Sequence, residues 1–540
     1  MNKFLLILLV NIPLYTFSQP KIVWEKSFGG IGPEDLTDIQ KTPDGGFVFV
    51  GSARSNSGDV NGVFNSTNYE NNNPVNIRIN NSDLWIVKLD INRNIEWSQV
   101  LGGNLNDYGR KVLVVDDGIV VAGIINSTDG DLPKPVNSGK IVLMKYSFSG
   151  QRLWRTFTTN SASQDLGNVI KTSDDGFLVL GHVQTQNHSD IYVIKFNFFG
   201  NILWSKTYGG LADDYGLDVL QEENRYLILA KTYSSNSGDV PINPYFGCSW
   251  LFSIDTFGFN LSSKTIIIGD LNRIIKAGSN YFLGGERIRI VKLNLDFTQV
   301  WERVLENKFS SINNYDDDHI IISGDVYNDS GIIFGKKNPG ISDVWIVKMK
   351  KSDGSVSWQK CIGGSGIEGA LSYGHSFLDT YNLSFRSYAS LIIEADKSII
   401  IGTYSRSMDG DRNIIKDQKS FLVGDSWIFK ISNEFRDKMV IDSLGLNSVC
   451  IGSQQKLFFN LNNFELVNNS LIVQLSDSKG NFDSAIDINI SVVSNPIIFN
   501  IPNNSGINGS YGYKVRLKSN TGEIISNESN DFAINTIPSS

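Results

Sequence analysis

One line of sequence recurs seven times: DLWIVKLD (83–90), KIVLMKYS (140–147), DIYVIKFN (190–197), SWLFSIDT (249–256), RIRIVKLN (287–294), DVWIVKMK (343–350) and DSWIFKIS (425–432). Each copy has strand length and is rich in β-branched and aromatic residues. A unit that repeats at this spacing cannot bury its apolar faces alone, so it must stack on its neighbours.

A second line follows most copies after a short turn: WSQVLGG from Trp97, WRTFTTN from Trp154, WSKTYGG from Trp204, WERVLEN from Trp301 and WQKCIGG from Trp358. LSSKTII (261–267) takes that slot without its Trp, and a further copy, WEKSFGG from Trp24, stands before any complete unit. Two more runs precede the first line, joined by a tight turn, as in TDIQKTPDGGFVFVGS (37–52), VLVVDDGIVVAG (112–123) and VIKTSDDGFLVLG (169–181). Asp-Gly between alternating apolar runs is a strong hairpin signal. Each unit therefore reads as four antiparallel strands, A to D. Four-stranded units every ~40 to 55 residues predict an all-β fold, a seven-bladed β-propeller. The spare D strand at Trp24 completes the last blade and closes the ring, pairing edges that would otherwise lie bare.

At 540 residues the chain exceeds one ordinary core. A net charge of -8 and a pI near 5.2 exclude nucleic acid as the expected partner, since phosphate binding needs clustered Lys and Arg. Residues 1–18 read as a signal peptide: one Lys, an apolar run from Phe4 to Val10, then small residues before Gln19. The run is too short for a membrane span. The expectation is a protein secreted or held at the cell surface. Cys248, Cys361 and Cys450 are widely spaced, giving neither a disulfide framework nor a metal pattern, and Cys361 reads as a buried thiol.

The recurring polar residues read as structural. A Lys closes six of the seven C strands (Lys88, Lys145, Lys195, Lys292, Lys348, Lys430), with Ser253 in the other. A catalytic group is single, whereas this one is copied round the repeat. Its stem is expected to pack and its ammonium to meet a carboxylate.

The units divide the chain into a propeller over 19–438 and a different segment over 441–540. There the Trp and Asp-Gly signals stop, and alternating runs such as LIVQLS, IIFNIP and GYKVRLKS read as an antiparallel sandwich. The line NNSLIVQLSDSKGNFDSAIDI with IIFNIP and YGYKVRLKS resembles an immunoglobulin-like module of secreted Bacteroidota proteins. The propeller repeats resemble those of uncharacterised surface proteins of that group, many exported by the type IX system. Such proteins usually carry a further sorting domain, whereas here the sequence reaches Ser540 directly after the sandwich. The resemblance thus implies either a longer chain or another route of export.

In an A-B-C-D blade the B–C and D–A connections share one rim, and here they are the long ones, including 364–388. Loops on a rigid scaffold are where binding usually resides. The expected function is therefore non-enzymatic binding or adhesion at the cell surface, with a glycan or protein ligand. The alternative is a carbohydrate-active enzyme, a glycosidase or lyase acting at the propeller axis. Its candidate ligand-binding residues are Glu368, Tyr373, His375, Asp379 and Tyr381, because paired carboxylates serve sugar cleavage. SNSGDV begins the B–C connection at 55–60 and again at 235–240, with relatives STDGDL (127–132) and SMDGDR (407–412). Asp59 and Asp239 read as turn residues bonding neighbouring backbone. Asp129 with Asp131, and Asp409 with Asp411, place two oxygen ligands at i and i+2, so calcium is a possible cofactor there. No other cofactor is expected. The run NHSD (187–190) cannot form a triad as it stands, since neighbours on a strand face opposite ways.

Overall fold

A computed structural model describes the chain apart from residues 1–21, 65–81, 133–138, 243–246, 268, 306, 328–341, 369–389, 407–423, 433–438, 445–447, 462–470, 491–496, 504–506, 508, 520–525, 527–528, 530 and 536–540. The chain divides into two compact units, Ile22–Ile431 and the residues from Ser432 onward.

The first unit is a series of four-stranded antiparallel sheets, the repeating architecture of a β-propeller. Strand β1 (Ile22–Phe28) stands apart. Sheet 1 follows with β2 (Asp35–Lys41), β3 (Phe47–Ala53), β4 (Asp83–Leu89) and β5 (Ile95–Leu101); sheet 2 has β6 (Tyr108–Val115), β7 (Gly118–Ile125), β8 (Lys140–Tyr146) and β9 (Arg152–Phe157). Sheet 3 comprises β10 (Gln164–Lys171), β11 (Phe177–Gln184), β12 (Ser189–Phe196) and β13 (Ile202–Tyr208), and sheet 4 comprises β14 (Asp214–Glu222), β15 (Arg225–Thr232), β16 (Cys248–Asp255) and β17 (Asn260–Ile267). Sheet 5 runs through β18 (Leu271–Ala277), β19 (Asn280–Gly285), β20 (Arg289–Asn294) and β21 (Gln299–Val304), and sheet 6 through β22 (Lys308–Asn314), β23 (His319–Val326), β24 (Asp343–Lys350) and β25 (Val356–Ile362). Sheet 7 has β26 (Ser390–Ile393), β27 (Ile399–Ser405) and β28 (Asp425–Ile431), and its fourth strand is β1.

The pairing of β1 repeats the register of every other D strand that carries a Trp. Trp24 faces Lys430 as Trp97 faces Lys88, Trp154 faces Lys145, Trp204 faces Lys195, Trp301 faces Lys292 and Trp358 faces Lys348. The central strands are buried on both faces, β4 and β8 throughout, which is why they read as near-continuous apolar runs and not as alternating ones. Trp85, Trp250, Trp345 and Trp427 of these strands are fully buried and fill the space between sheets.

Two small devices recur through the sheets of the first unit. At the A–B turn of sheet 1, Asp44 accepts from Thr42 Oγ1 and Gly46 N and also meets Lys88 Nζ at 2.7 Å. Lys145 meets Asp117, Lys195 meets Asp174, Lys348 meets Asp316 and Lys430 meets Glu394 in the same way. The expected lysine–carboxylate contact is thus found within five of the sheets, while Lys292 instead donates to Lys351 O at 2.9 Å. Between sheets, the Trp97 indole donates to Phe148 O at 2.9 Å and lies against Gly150, whose φ of +85° and lack of Cβ leave room for the ring. Trp204 and Trp301 repeat the bond to Thr256 O and Lys351 O. Trp24 lies 4.8 Å from the Arg93 guanidinium of the sheet 1 turn, beside a Lys26 bond to Arg93 O of 2.6 Å.

The second unit holds β29 (Met439–Leu444), β30 (Ser448–Cys450), β31 (Gln454–Leu461), β32 (Leu471–Leu475), β33 (Ile486–Asn489), β34 (Ile497–Asn500), β35 (Ser510–Tyr513), β36 (Val515–Ser519) and β37 (Phe532–Asn535) in three three-stranded sheets. Its core includes Leu457, Val473, Ile497, Val515, Leu517 and Ile534. The first strand begins two residues before the expected start at 441.

Candidate functional site

The Gly-Asp words do more than turn. Val60 N bonds Ser57 O at 3.0 Å, closing the expected turn, but the carboxylate reaches elsewhere. Asp59 Oδ2 accepts from Gly29 N at 3.1 Å while Asp59 N donates to Gly29 O at 2.9 Å. Asp239 makes the same two-way bond with Gly209, at 3.2 and 2.9 Å. The carboxylate thus accepts from a glycine thirty residues earlier in the chain, beyond the local turn that was expected. The start of each B–C connection is tied to the start of a D–A connection, so both leave from one edge.

Around those glycines stand pairs of acids. The spacing Gly-Gly-x-x-x-acid occurs in FGGIGPE, LGGNLND, YGGLADD and IGGSGIE, ending at Glu34, Asp107, Asp214 and Glu368. All four acids are fully buried. The second glycine of each word donates its N–H to that acid, as Gly30 to Glu34 at 2.9 Å, Gly103 to Asp107 at 3.0 Å, Gly210 to Asp214 at 2.7 Å and Gly364 to Glu368 at 3.1 Å. The first glycine is a spacer. A Cβ on Gly102 would fall 2.0 Å from Asp83 Oδ1 and 2.8 Å from Asp107 Oδ2, so two carboxylates meet across its bare Cα. Gly29 separates Asp425 from Glu34, Gly209 separates Asp190 from Asp214, and Gly363 separates Asp343 from Glu368 in the same manner.

Asp107 is held by four donors, Gly103 N at 3.0 Å, Asn126 N at 2.6 Å, Ser127 N at 3.0 Å and Ser127 Oγ at 2.6 Å. Asp83 is served less well: Phe64 N reaches Oδ2 at 2.6 Å, while the buried Oδ1 has no hydrogen-bond partner. Burial pushes Asp83 up to about 7 against the pull of the Phe64 N–H, and the charges of Asp107 and Asp131 add to the rise. Glu34 is likewise pushed up to about 8 by burial, with Ser55 and Gly30 pulling down and Asp425 adding. Asp107, Asp190 and Asp214 are all raised by burial.

Of the expected candidates, Glu368 is found in one of these repeated positions, bonded to Gly364 N and Ser405 Oγ. Tyr373, His375, Asp379, Tyr381, Asp409 and Asp411 lie outside the described residues. Asp129 and Asp131 have separate roles. The Asp129 carboxylate takes Asn104 N at 2.9 Å and the Asn104 amide, while Asp131 N holds Gly102 O at 2.9 Å and its charge acts on Asp83. Among the described residues no group of three His, Cys, Asp or Glu side chains stands as a metal cage. In NHSD, His188 Nε2 and Asp190 Oδ1 share a face at 3.3 Å, while Ser189 bonds Gln184. Cys361 is buried, as expected. The sequence reading missed the acid pairs although their signal was present: an Asp stands five residues before the Lys in four of the seven C strands, and those four precede the four Gly-Gly-acid words once β1 is taken as the continuation of β28.

Among the described residues no helix is long and apolar enough to cross a membrane. No protein family and no curated protein matches the sequence. Solved structures similar to the chain include BamB from Moraxella catarrhalis, at 10% identity and TM-score 0.38 over 77% of this chain and 100% of that one. BBS1N in complex with ARL6DN is similar at 9% identity and TM-score 0.39, over 78% and 98% of the two chains. A Bacteroides caccae protein of unknown function is similar at 13% identity and TM-score 0.31, over 52% and 90%.

Proposed function

We propose that the chain is a secreted or cell-surface binding protein, exported by the signal peptide over residues 1–18. Its first unit is a seven-bladed propeller closed by β1, and its second unit is an immunoglobulin-like sandwich. The scaffold presents the B–C and D–A connections, including 364–388, to a glycan or protein ligand. The observation that carries this reading is the Gly-Asp bond, Asp59 to Gly29 and Asp239 to Gly209, which launches both sets of connections from a single edge. Glu368, the acid that would serve a glycosidase, occupies a position filled by an acid in three other words, and it accepts from Gly364 N and Ser405 Oγ of the scaffold. That favours binding over catalysis.

The test is a glycan array and a protein-capture screen with the secreted chain, repeated on a variant whose residues 364–388 are replaced by a short Gly-Ser linker. Binding that the replacement abolishes supports the reading. Binding unaffected by it and lost instead on altering the A–B turns places the working face on the opposite rim. Turnover of a glycan that disappears in Glu368→Gln, in a variant that still folds, establishes the enzyme.

A further inference from the structure

We propose that the paired buried carboxylates at the Gly-Gly words are binding sites for a hard divalent cation of the calcium class. Three observations meet here. First, two carboxylates approach across a glycine that no side chain could replace, in four equivalent places. Hard oxygen ligands presented in pairs suit calcium, and unpaired buried charge is costly. Second, Asp83 is fully buried, and its Oδ1 faces Asp107 with no hydrogen-bond partner. It is a ligand atom without a donor.

Third, three of the seven junctions lack the acid pair, and the one after sheet 2 shows what can stand in its place. Counting five residues back from the C-strand Lys, the place of Asp83 is taken by Lys140, and the place of Asp107 by Gln164. There the Lys140 ammonium is bonded to the carbonyls of Asn160 and Ala162, and Gln164 Nε2 donates to Asn160 O at 2.9 Å. At this acid-free junction the chain places a cation of its own. At the Asp83–Asp107 junction a cation from solution would take the corresponding place.

Each pair gives two carboxylates, and among the described residues no third His, Cys, Asp or Glu joins them as a metal-holding group, so backbone carbonyls and water would complete the shell. That donor set belongs with weak extracellular sites, with midpoints of ~0.1 to 1 mM. The site is distinct from the i, i+2 pair of Asp129 and Asp131, whose first member is engaged by Asn104.

The experiment is calorimetric titration of the full chain with calcium chloride after chelation, with magnesium chloride as comparison and melting followed in parallel. The expected result is saturable calcium binding in the stated range and a melting temperature that climbs with the logarithm of calcium concentration. Asp83→Asn should remove one site, and Asp83→Asn with Asp190→Asn two, while Asp129→Ala removes none. Circular dichroism identifies any variant that fails to fold, and Asp107→Asn then serves as the second probe of the same pair. A chain that takes up no calcium up to ~10 mM, tenfold above the weakest expected midpoint, overturns the proposal and leaves a shared proton as what holds each pair. Sites lost in Asp129→Ala but kept in Asp83→Asn overturn it too, returning the cation to the Gly-Asp word.

Discussion

Gly102 is a residue chosen by its neighbours: what sits on either side of its Cα is a pair of carboxylates. Gly102→Ala should cost ~1 to 3 kcal/mol, the usual range for overpacking a tight site, and denaturant unfolding would show it. A cost near zero would mean that the Asp83 side chain swings aside freely. Asp59→Ala and Asp239→Ala each remove one hydrogen bond to a glycine N–H, and each should cost ~0.5 to 1.5 kcal/mol. The two losses should add, since the residues stand in connections that leave different sheets, after β3 and β15; a shortfall in the double variant on the same unfolding curves would reveal coupling round the repeat. These glycines also mark where the sequence was read too locally. Gly-Asp looked like a self-contained turn because Asp and Gly are turn residues by composition. The partner of the carboxylate lies thirty residues away, and no local rule points there.

At the scale of the element, two sets of carboxylates pull stability in opposite directions with pH. The A–B turn acids are depressed: burial alone would raise Asp44, but bonds from Lys88 and Thr42 bring it to about 2, and Asp174, Asp316 and Glu394 are lowered by their own partners. Their contribution is present above the unfolded value near 4 and is lost as pH falls toward 2. The paired acids are raised, so the folded chain holds protons that the unfolded chain has released. Stability should therefore fall as pH climbs from about 4 through 7 for Asp83, and on to 8 for Glu34. In a chelating buffer the melting temperature should peak in mildly acidic solution and drop by pH 8; a flat profile over that interval would mean that the pairs ionise without penalty. The lysine at the end of each C strand was legible because it recurs at one offset, and its turn partner follows from the hairpin. The acid pairs were not, because their members lie in different strands and meet only when the Gly-Gly words fold back.

For the molecule as a whole, the four-stranded repeat is legible in the sequence because the D-strand Trp and the C-strand Lys keep one register in six of the seven sheets, β1 and β28 included. Deleting Ile22–Phe28 bares the edge of β28, and an unpaired edge invites pairing with another chain. Size-exclusion chromatography of the deleted protein should show oligomers; a monomer with an unchanged melting temperature would contradict the role assigned to β1. Expressed separately, residues 22–431 and 439–540 should each unfold in one cooperative transition, since each has a core of its own. Failure of either to fold would make the two units one.

The bond between β1 and β28 joins residues some four hundred positions apart, and that has a consequence for how the chain is made. Strand β1 cannot find its partner until Ile431 has left the ribosome. Every shorter product therefore lacks that pairing. Long-range pairings of this kind form late and slowly, so the last contact to form certifies that the whole first unit has been delivered. A chain cut short anywhere before that point remains marked by its unpaired first strand, visible to the proteases and chaperones that read exposed edges.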